Sequence, residues 1–172
     1  KIFNFSDIKV ELSTRPKNFI GSEKTWKKAE GILRWVLKQL DLKFSVNEGE
    51  GAFYGPKIDF HIKDSIGRSW QCGTIQLDFA MPERFNLEYT DNKGRRKRPV
   101  LLHRTVIGSI QRFVGILIEH YGGAFPFWLS PEQVWLVPLG PRHEKYANKI
   151  TKELSSLGFR VETKSDNETV SK

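Results

Sequence analysis

Cysteine, methionine and long apolar segments are scarce in this chain of 172 residues. Its single cysteine, Cys72, excludes an internal disulfide and a zinc finger built from several cysteines. One unpaired thiol fits a reducing compartment, so we expect a cytoplasmic protein. No segment approaches the roughly 20 apolar residues that span a bilayer, so we expect no membrane association. The only methionine is Met81, and we therefore expect the chain to be a piece of a longer protein.

Basic residues outnumber acidic residues in this sequence. There are 28 Lys and Arg against 20 Asp and Glu, which gives a net charge of +8. Such a balance favours a polyanionic partner, RNA or DNA first. Solubility alone explains the same charge equally well. An apolar fraction of 38% is that of a globular protein and argues against a disordered one.

Two periodicities predict the secondary structure of the first part of the chain. Alternation of apolar and polar residues predicts strands at 7–14, 57–63, 68–79, 86–90 and 99–106. The segments 57–63 and 68–79 are predicted to pair as an antiparallel hairpin. The segments 86–90 and 99–106 are predicted to flank the tip of a second hairpin, at 91–94. Apolar stripes at helical spacing predict helices over 22–40 and 108–121.

The pattern changes after a segment rich in aromatic residues and proline, at 124–131. A continuous apolar run, a stripe of apolar residues at helical spacing and a further strand follow it. A strand, a helix and a strand in that order predict a βαβ unit with parallel strands. We therefore expect a first domain over 1–123, a linker over 124–131 and the start of a second domain over 132–172.

The segment 70–79 carries polar side chains between large apolar ones, among them Gln71, Thr74 and Gln76. Two amides and a hydroxyl on a rigid strand are suited to hydrogen bonding with a small polar ligand. Amide pairing between strands on an exposed face explains the pattern as well. We expect Cys72, in the same segment, to be buried and inert, since a thiol nucleophile would need a histidine base beside it.

The segment 93–98 holds five cations in six residues. These cations could contact phosphates of a nucleic acid. The alternative is a solvated hairpin tip whose charges discourage pairing with the sheet edges of other molecules.

The segment 103–112 joins a predicted strand to a predicted helix. Ser109 and Arg112 are three residues apart and therefore share a helix face, opposite the apolar stripe. An arginine held against a sheet favours an anion, such as a triphosphate, or an aromatic partner. An ion pair with one of the chain's own carboxylates is the structural alternative. Taken alone, His103 is expected to be a core histidine rather than a metal ligand.

Four segments together resemble the threonyl-tRNA synthetase family. Residues 49–59, 70–79 and 103–112 resemble motifs of its catalytic core, and residues 127–131 resemble the join to its anticodon-binding domain. The resemblance covers essentially the whole chain, in order. It implies an α+β fold: the antiparallel class II synthetase sheet flanked by helices, followed by the first βαβ elements of an α/β anticodon-binding domain.

The activity that the resemblance implies is the ligation of threonine to tRNA. Members of the family activate threonine with ATP and Mg²⁺ to threonyl-adenylate and then transfer it to tRNA(Thr), as a homodimer that carries Zn²⁺. A zinc ion that binds the amino and hydroxyl groups of threonine would exclude valine, which a hydrophobic pocket rejects poorly. The alternative is a non-catalytic module on the same scaffold that binds RNA or another protein.

The resemblance also implies a role for each of eight residues. These are Arg112 and Lys57 as catalytic residues; Gln71, Thr74 and Arg112 for ATP; Tyr54, Gln76 and Ser109 for threonine; and His103 as one of three zinc ligands. The family's other two zinc ligands are absent from this sequence, so we expect the isolated chain to hold half an active site and to be inactive. Gln71 and Gln76 have opposite parity along a strand, so their convergence requires a bulge or twist near Gly73.

Overall fold

The computed structural model describes residues 2–165, which form two compact units that divide after His120. From the start of the chain the elements are β1 (Ile8–Ser13), α1 (Glu23–Gln39), β2 (Ser45–Asn47), β3 (Lys57–Lys63), β4 (Ser69–Asp78), α2 (Ala80–Arg84), β5 (Tyr89–Thr90), β6 (Arg96–Lys97), β7 (Leu101–Thr105) and α3 (Ile110–Tyr121). The second unit then contains β8 (Val134–Leu136), α4 (Pro141–Ser156) and β9 (Val161–Thr163). No helix in this described range is long and apolar enough to cross a bilayer.

The main sheet has five strands in the order β2-β1-β3-β4-β7. All its pairs are antiparallel except β1 with β2. The predicted hairpin of 57–63 and 68–79 is confirmed as β3 and β4, and the predicted helices are confirmed, slightly shortened, as α1 and α3. The result is the antiparallel-rich α+β fold that was predicted.

Helix α1 begins and ends where its sequence provides the signals. The Ser22 side chain accepts a hydrogen bond from the backbone N–H of Thr25, which satisfies one of the free donors of the first turn. Glu23 in the first turn and Lys38 in the last turn both complement the helix dipole.

One face of the main sheet is closed by α1. Val10, Leu12 and Ile58 of the sheet form a cluster with Leu33 and Leu37 of the helix. Both Leu12 and Leu37 are essentially inaccessible to solvent. Burial of each such side chain contributes roughly 1.5–3 kcal/mol. This apolar packing therefore holds the helix on the sheet.

The opposite face of the sheet is polar, because polar residues alternate with apolar ones along its strands. Pairing between β3 and β4 changes register so that Gly73 and Gln71 pair with successive residues of β3, and Cys72 is an extra residue. This β-bulge reverses the alternation once, so Gln71 lies on the same face as Gln76. The irregularity expected near Gly73 is confirmed.

The predicted pairing of 86–90 with 99–106 around a tip is wrong. The hairpin is shorter, formed by β5 and β6, while β7 pairs with β4 in the main sheet. The Asp91 side chain accepts hydrogen bonds from the backbone N–H groups of Lys93 and Arg95, which closes the turn at once. Strand pairing therefore starts beside the turn and leaves the later residues to the main sheet.

The short helix α2 has no counterpart among the predicted elements. Asp78 accepts hydrogen bonds from the backbone N–H groups of Ala80 and Met81, at 2.8 and 3.0 Å, and so starts the turn. Pro82 lies within the first turn, where its missing N–H has no helical partner to lose.

The second unit contains the predicted βαβ arrangement. Strands β8 and β9 pair in parallel in a sheet of their own, and α4 connects them. Near the end of this unit the hydroxyls of Thr151 and Thr163 lie 2.6 Å apart. The domain limits 1–123, 124–131 and 132–172 stay a prediction, and residues 166–172 of the last lie outside the described part of the chain.

Candidate active site

Strand pairing brings most of the predicted site residues onto one surface, which we call the polar face. Its members are Ser13, Lys57, Asp59, Gln71, Thr74, Gln76 and His103. Lys57 pairs with Gln76, which pairs in turn with His103, so these three side chains form a row across β3, β4 and β7. Neighbouring strands lie roughly 5 Å apart, which is the spacing at which several groups can bind one small ligand.

The carboxylate of Asp59 is the centre of a hydrogen-bond network on the polar face. Its Oδ1 accepts from Gln71 Nε2 at 2.6 Å, and its Oδ2 accepts from Ser13 Oγ at 3.1 Å. Lys57 Nζ lies 2.9 Å from the same Oδ2. Asp59 is only 3% exposed, so this charge is held inside the protein by three donors.

Thr74 has an unsatisfied hydroxyl. Its Oγ1 is buried and has no hydrogen-bond partner among residues 2–165. An unpaired buried hydroxyl costs roughly 1–3 kcal/mol, and most buried polar atoms are paired. Thr74 pairs with Asp59 across the strands, so this free group lies beside the Asp59 network.

Tyr54 joins the site from the loop before β3. Its hydroxyl donates to Gln76 Oε1 at 2.6 Å, and its ring lies edge-on to the imidazole of His103. The loop approaches β4 closely at Gly55, where an added Cβ would lie 1.9 Å from the Leu77 carbonyl oxygen. Only glycine fits there, and this close approach is what delivers Tyr54 to the polar face.

His103 is half exposed and is bonded to a buried carboxylate. Its Nε2 lies 2.9 Å from Asp78 Oδ2, and 49% of its side chain is accessible. Burial acts to raise the pKa of Asp78, but the hydrogen bonds from His103 and from the N–H groups of Met81 and Ala80 outweigh it and hold that pKa below its ordinary value. Asp78 is therefore a fixed anion that orients the imidazole.

A cavity of about 430 Å³ opens beside this pair. Its lining consists of Phe53, Tyr54, Gln76, Asp78, Ala80, Met81, Arg84 and His103. Two aromatic rings, an amide and an imidazole therefore surround a space large enough for a small amino acid.

Ser109 and Arg112 form a second group, at the start of α3. Ser109 Oγ accepts from the backbone N–H of Arg112 at 3.5 Å. The guanidinium of Arg112 lies 5.5 Å from the ring centre of Trp70, so an aromatic partner, one of the alternatives foreseen for this arginine, is present. Trp70 pairs with Ile62 and is next to Gln71 on β4, so its side chain points away from the polar face. The contact with Trp70 therefore brings Arg112 to β4 but not onto the polar face.

The thiol of Cys72 is buried, as expected. Burial raises the pKa of this thiol, and the nearby charge of Arg112 opposes the rise only in part. A thiol in this state is a poor nucleophile. Gly108 approaches it from the start of α3, with φ of +68° and an added Cβ 3.0 Å from the Cys72 carbonyl oxygen.

The cations of the hairpin tip at 93–98 are largely paired within the chain. Arg95 and Lys97 both contact Asp91, Arg96 contacts Glu88, and Arg98 donates to the carbonyl of Pro82. The backbone N–H of Arg95 and the ammonium of Lys97 lower the pKa of Asp91 and so keep it charged. The pairing favours the structural interpretation of this tip over phosphate binding.

Sequence reasoning missed Asp59 and Asp78 as members of the site. Neither was singled out, because a lone Asp in a strand carries no motif of its own. The alternation of side chains along a strand could have found them. Asp59 is two residues from Lys57, and Asp78 is two residues from Gln76, so each lies on the same strand face as a predicted site residue. Within residues 2–165 no group of three or more His, Cys, Asp and Glu side chains is arranged to hold a metal ion.

Two family models match the chain. The model described as "tRNA synthetase class II core domain (G, H, P, S and T)" matches residues 3–121, and the model described as "Anticodon binding domain" matches residues 133–172. The threonine–tRNA ligase of Caldanaerobacter subterraneus subsp. tengcongensis is 56% identical over 99% of this chain, and that of Carboxydothermus hydrogenoformans is 54% identical over the same share. The chain spans about a quarter of the length of these relatives, 26% and 27%.

Solved structures agree with these matches. A crystal structure described as the RNA binding domain of threonyl-tRNA synthetase from Cryptosporidium parvum Iowa II is 41% identical, with a TM-score of 0.88 over 99% of this chain and 43% of that one. A putative threonyl-tRNA synthetase from Aeropyrum pernix is 36% identical, with a TM-score of 0.74 over 95% of this chain and 40% of that one. The chain therefore belongs to the class II tRNA synthetase family, and it combines part of the core domain with sequence of the anticodon-binding domain.

Proposed function

We propose that this chain is the part of a threonine–tRNA ligase that forms one side of the active site. The observation that carries the proposal is the row of Lys57, Gln76 and His103 across three strands, with the Tyr54 hydroxyl bonded to Gln76. A scaffold that only bound RNA or a protein would have no need of polar groups that are held in place in this way by Asp59, Tyr54 and Asp78. The complete reaction would join threonine to tRNA(Thr) at the expense of ATP, in a homodimer located in the cytoplasm.

The ATP side of the proposed site contains Gln71, Thr74, Lys57 and Arg112. Gln71 and Lys57 are fixed by Asp59, and the Thr74 hydroxyl is buried without a protein partner, as a group that a ligand completes would be. Arg112, at the start of α3, supplies the positive charge that a triphosphate requires. Mg²⁺ would accompany the ATP. Lys57 and Arg112 are the residues that we propose to act on the reacting phosphate.

The threonine side of the proposed site is the cavity beside Tyr54 and Gln76. The Tyr54 hydroxyl donates to Gln76 Oε1, which leaves the Gln76 amino group free to donate to an acceptor on the substrate. Ser109 lies on α3 next to Arg112, and its proposed role is to complete the wall of the site between amino acid and nucleotide.

His103 fits the role of a zinc ligand. Asp78 engages Nε2, and a carboxylate on one imidazole nitrogen is the common arrangement when the other nitrogen binds a metal. Catalytic zinc takes three protein ligands, so the other two would come from outside this chain, as the resemblance implies. When bound, the ion would act as a template that orients threonine and selects its amino and hydroxyl groups. We expect His103→Ala to lower the zinc content of the complete enzyme, measured by metal analysis.

The alternative, a non-catalytic module for RNA or protein binding, receives less support. Its main sequence argument was the basic segment 93–98, and most of those cations are paired with groups of the chain itself. Partnership with tRNA remains part of the ligase proposal, since the net charge of +8 favours a polyanion.

A chimaeric ligase tests the proposal. The 172 residues replace the matching segment of the Caldanaerobacter ligase, and threonine-dependent exchange of pyrophosphate into ATP is measured. We expect exchange within tenfold of the parent enzyme. A folded chimaera, judged by its circular dichroism and thermal melting, that lacks exchange would contradict the proposal. If the chimaera does not fold, chemical shifts of the isolated chain are followed on addition of a threonyl-adenylate analogue, and no change at Gln71, Thr74 or Gln76 would contradict it.

A further inference from the structure

Asp59 occupies an unusual position for a carboxylate. It lies in the middle of the sheet and is 3% exposed, yet every donor that reaches it belongs to the polar face or to its edge. Oδ2 is shared by Lys57 and Ser13, while Oδ1 accepts from the amide nitrogen of Gln71 at 2.6 Å. The two oxygens therefore have different partners: a cation and a hydroxyl on one side, and a neutral amide on the other.

This division fixes which way the Gln71 amide points. An ionised carboxylate only accepts hydrogen bonds, so Gln71 must turn its NH₂ group toward Asp59. The carbonyl oxygen Oε1 then points away from Asp59. A glutamine held in this way presents an acceptor to a ligand, and it recognises a hydrogen-bond donor.

We propose that Asp59 is a positioning residue that orients Gln71, so that the glutamine recognises a donor group on the nucleoside of ATP. This inference rests on the proposed function, in which Gln71 lies on the ATP side. Two donors of ATP share the required chemistry, namely the ribose hydroxyls and the exocyclic amine of adenine. Asp59 acts through Gln71, while its contact with Lys57 keeps the ammonium beside the same site.

The substitution Asp59→Asn tests whether Asp59 orients the Gln71 amide, because it keeps the size of the buried side chain and changes the hydrogen bonds that this side chain can form. Asparagine has a single carbonyl oxygen, which the ammonium of Lys57 attracts more strongly than a neutral amide does. The NH₂ group of the new side chain then faces Gln71, which must rotate its own amide to accept. Gln71 consequently presents a donor to the nucleotide where it previously presented an acceptor.

In the chimaeric ligase, Asp59→Asn should raise the KM for ATP by about tenfold, the effect of one mismatched hydrogen bond, with the KM for threonine changed less than twofold. Analogues identify the donor: 2′-deoxy-ATP, 3′-deoxy-ATP and purine riboside triphosphate, which lacks the amine. The unsubstituted chimaera should discriminate against one of them, and Asp59→Asn and Gln71→Leu should each abolish that discrimination. Unchanged discrimination in Asp59→Asn would overturn the inference while leaving the ligase proposal intact.

A matched control and a direct measurement complete the test. Asp91→Asn makes the same change at a carboxylate of the hairpin tip, which is paired with Arg95 and Lys97, and it should change the KM for ATP by less than twofold. If Asp59→Asn does not fold, the side-chain amide of Gln71 is observed by NMR in the unsubstituted chain. A strongly hydrogen-bonded Nε2 proton supports the inference, and amide protons in fast exchange with water would overturn it.

Discussion

The two faces of the main sheet are built from the same strands, yet burial has a different meaning on each. Leu12 and Ile58 face α1 and are buried among apolar side chains. Their neighbours Ser13 and Asp59 face the other way and are just as inaccessible, at 1% and 3%. Burial of the first pair stabilises the fold directly, whereas burial of a polar or charged group costs free energy unless partners compensate.

The difference between the two faces indicates which buried groups serve function rather than stability. A buried ion pair is weak support for stability, because apolar residues of similar size often serve as well. The network of Asp59, Lys57 and Gln71 is therefore better explained by what it positions than by what it stabilises. The charged hairpin at 93–98 differs again: its ion pairs are largely exposed, and exposed pairs contribute roughly 0–1 kcal/mol.

The largest expected effect comes from breaking the apolar face. Leu12→Ala should lower the free energy of unfolding of this chain by about 3–4 kcal/mol, because it opens a cavity under α1. Urea denaturation followed by circular dichroism measures it. Leu40→Ala, at a leucine that is 63% exposed, is the control and should cost less than about 0.5 kcal/mol. A loss below about 1 kcal/mol for Leu12→Ala would contradict this view of the core.

Removing a charged group of the proposed active site should affect catalysis and leave stability nearly unchanged. In the chimaeric ligase, Arg112→Ala should slow adenylate formation by about 100-fold, because it removes a charge that stabilises the phosphates. Arg112 is exposed and Trp70 is partly buried, so their contact is worth only about 0.5–1 kcal/mol. Pyrophosphate exchange and thermal melting are measured together, with Arg142→Ala on α4 as the control. A fall in melting temperature large enough to explain the loss of rate would show that Arg112 stabilises the fold and does not act in adenylate formation.

The next effect tests the close approach that places Tyr54 on the polar face. Gly55→Ala should destabilise the chain by about 1–3 kcal/mol, because its Cβ would overlap the Leu77 carbonyl oxygen. Gly31→Ala, in α1 with nothing within 4 Å of the added Cβ, is the matched control and should stabilise by about 0.5–1 kcal/mol. Equal effects of the two substitutions on urea denaturation would show that the loop does not press against β4.

Periodicity predicted the apolar face well, because the apolar character of a Leu or Ile by itself indicates that the residue is buried. The helices α1 and α3, the β3–β4 hairpin and the parallel pair of β8 and β9 all followed from such patterns. The polar face was identified through residues that resemble family motifs, and its roles stay proposals. Two residues of the same face, Asp59 and Asp78, were missed because their importance lies in which groups they contact.

Side-chain hydrogen bonds explain the remaining differences between prediction and structure. Asp91 shortens the predicted hairpin and Asp78 starts the unpredicted helix α2, each by accepting backbone N–H groups that follow it. Periodicity averages over many residues and does not detect a single carboxylate that redirects the backbone. The bulge at Cys72 was anticipated only because two glutamines on one strand had to converge.

The smallest expected effect concerns Asp64, a buried carboxylate in the turn that follows β3. It accepts from Arg68 Nε at 2.6 Å and from Trp70 Nε1 at 2.8 Å, and it accepts a third bond from the backbone N–H of Arg68. Burial alone would raise its pKa, but the bonds from Trp70 and Arg68 lower that pKa from 3.8 to about 2. Because the folded state has the lower pKa, Asp64 stabilises the fold above about pH 4. That stabilisation should fade as the pH falls toward 2.

Asp64→Asn should therefore flatten the pH dependence of the unfolding free energy between about pH 4 and pH 2, measured by urea denaturation at several pH values. Leu40→Ala, which keeps every carboxylate, should retain the slope of the unsubstituted chain. An NMR titration of the Asp64 carboxyl carbon gives the pKa directly. A midpoint near 3.8, or a slope unchanged in Asp64→Asn, would mean that these hydrogen bonds form equally well with the protonated acid. Asp64 would then share only its burial with Asp59. Of a charge that stabilises the fold and a charge that positions a ligand group, only the second, Asp59, would remain.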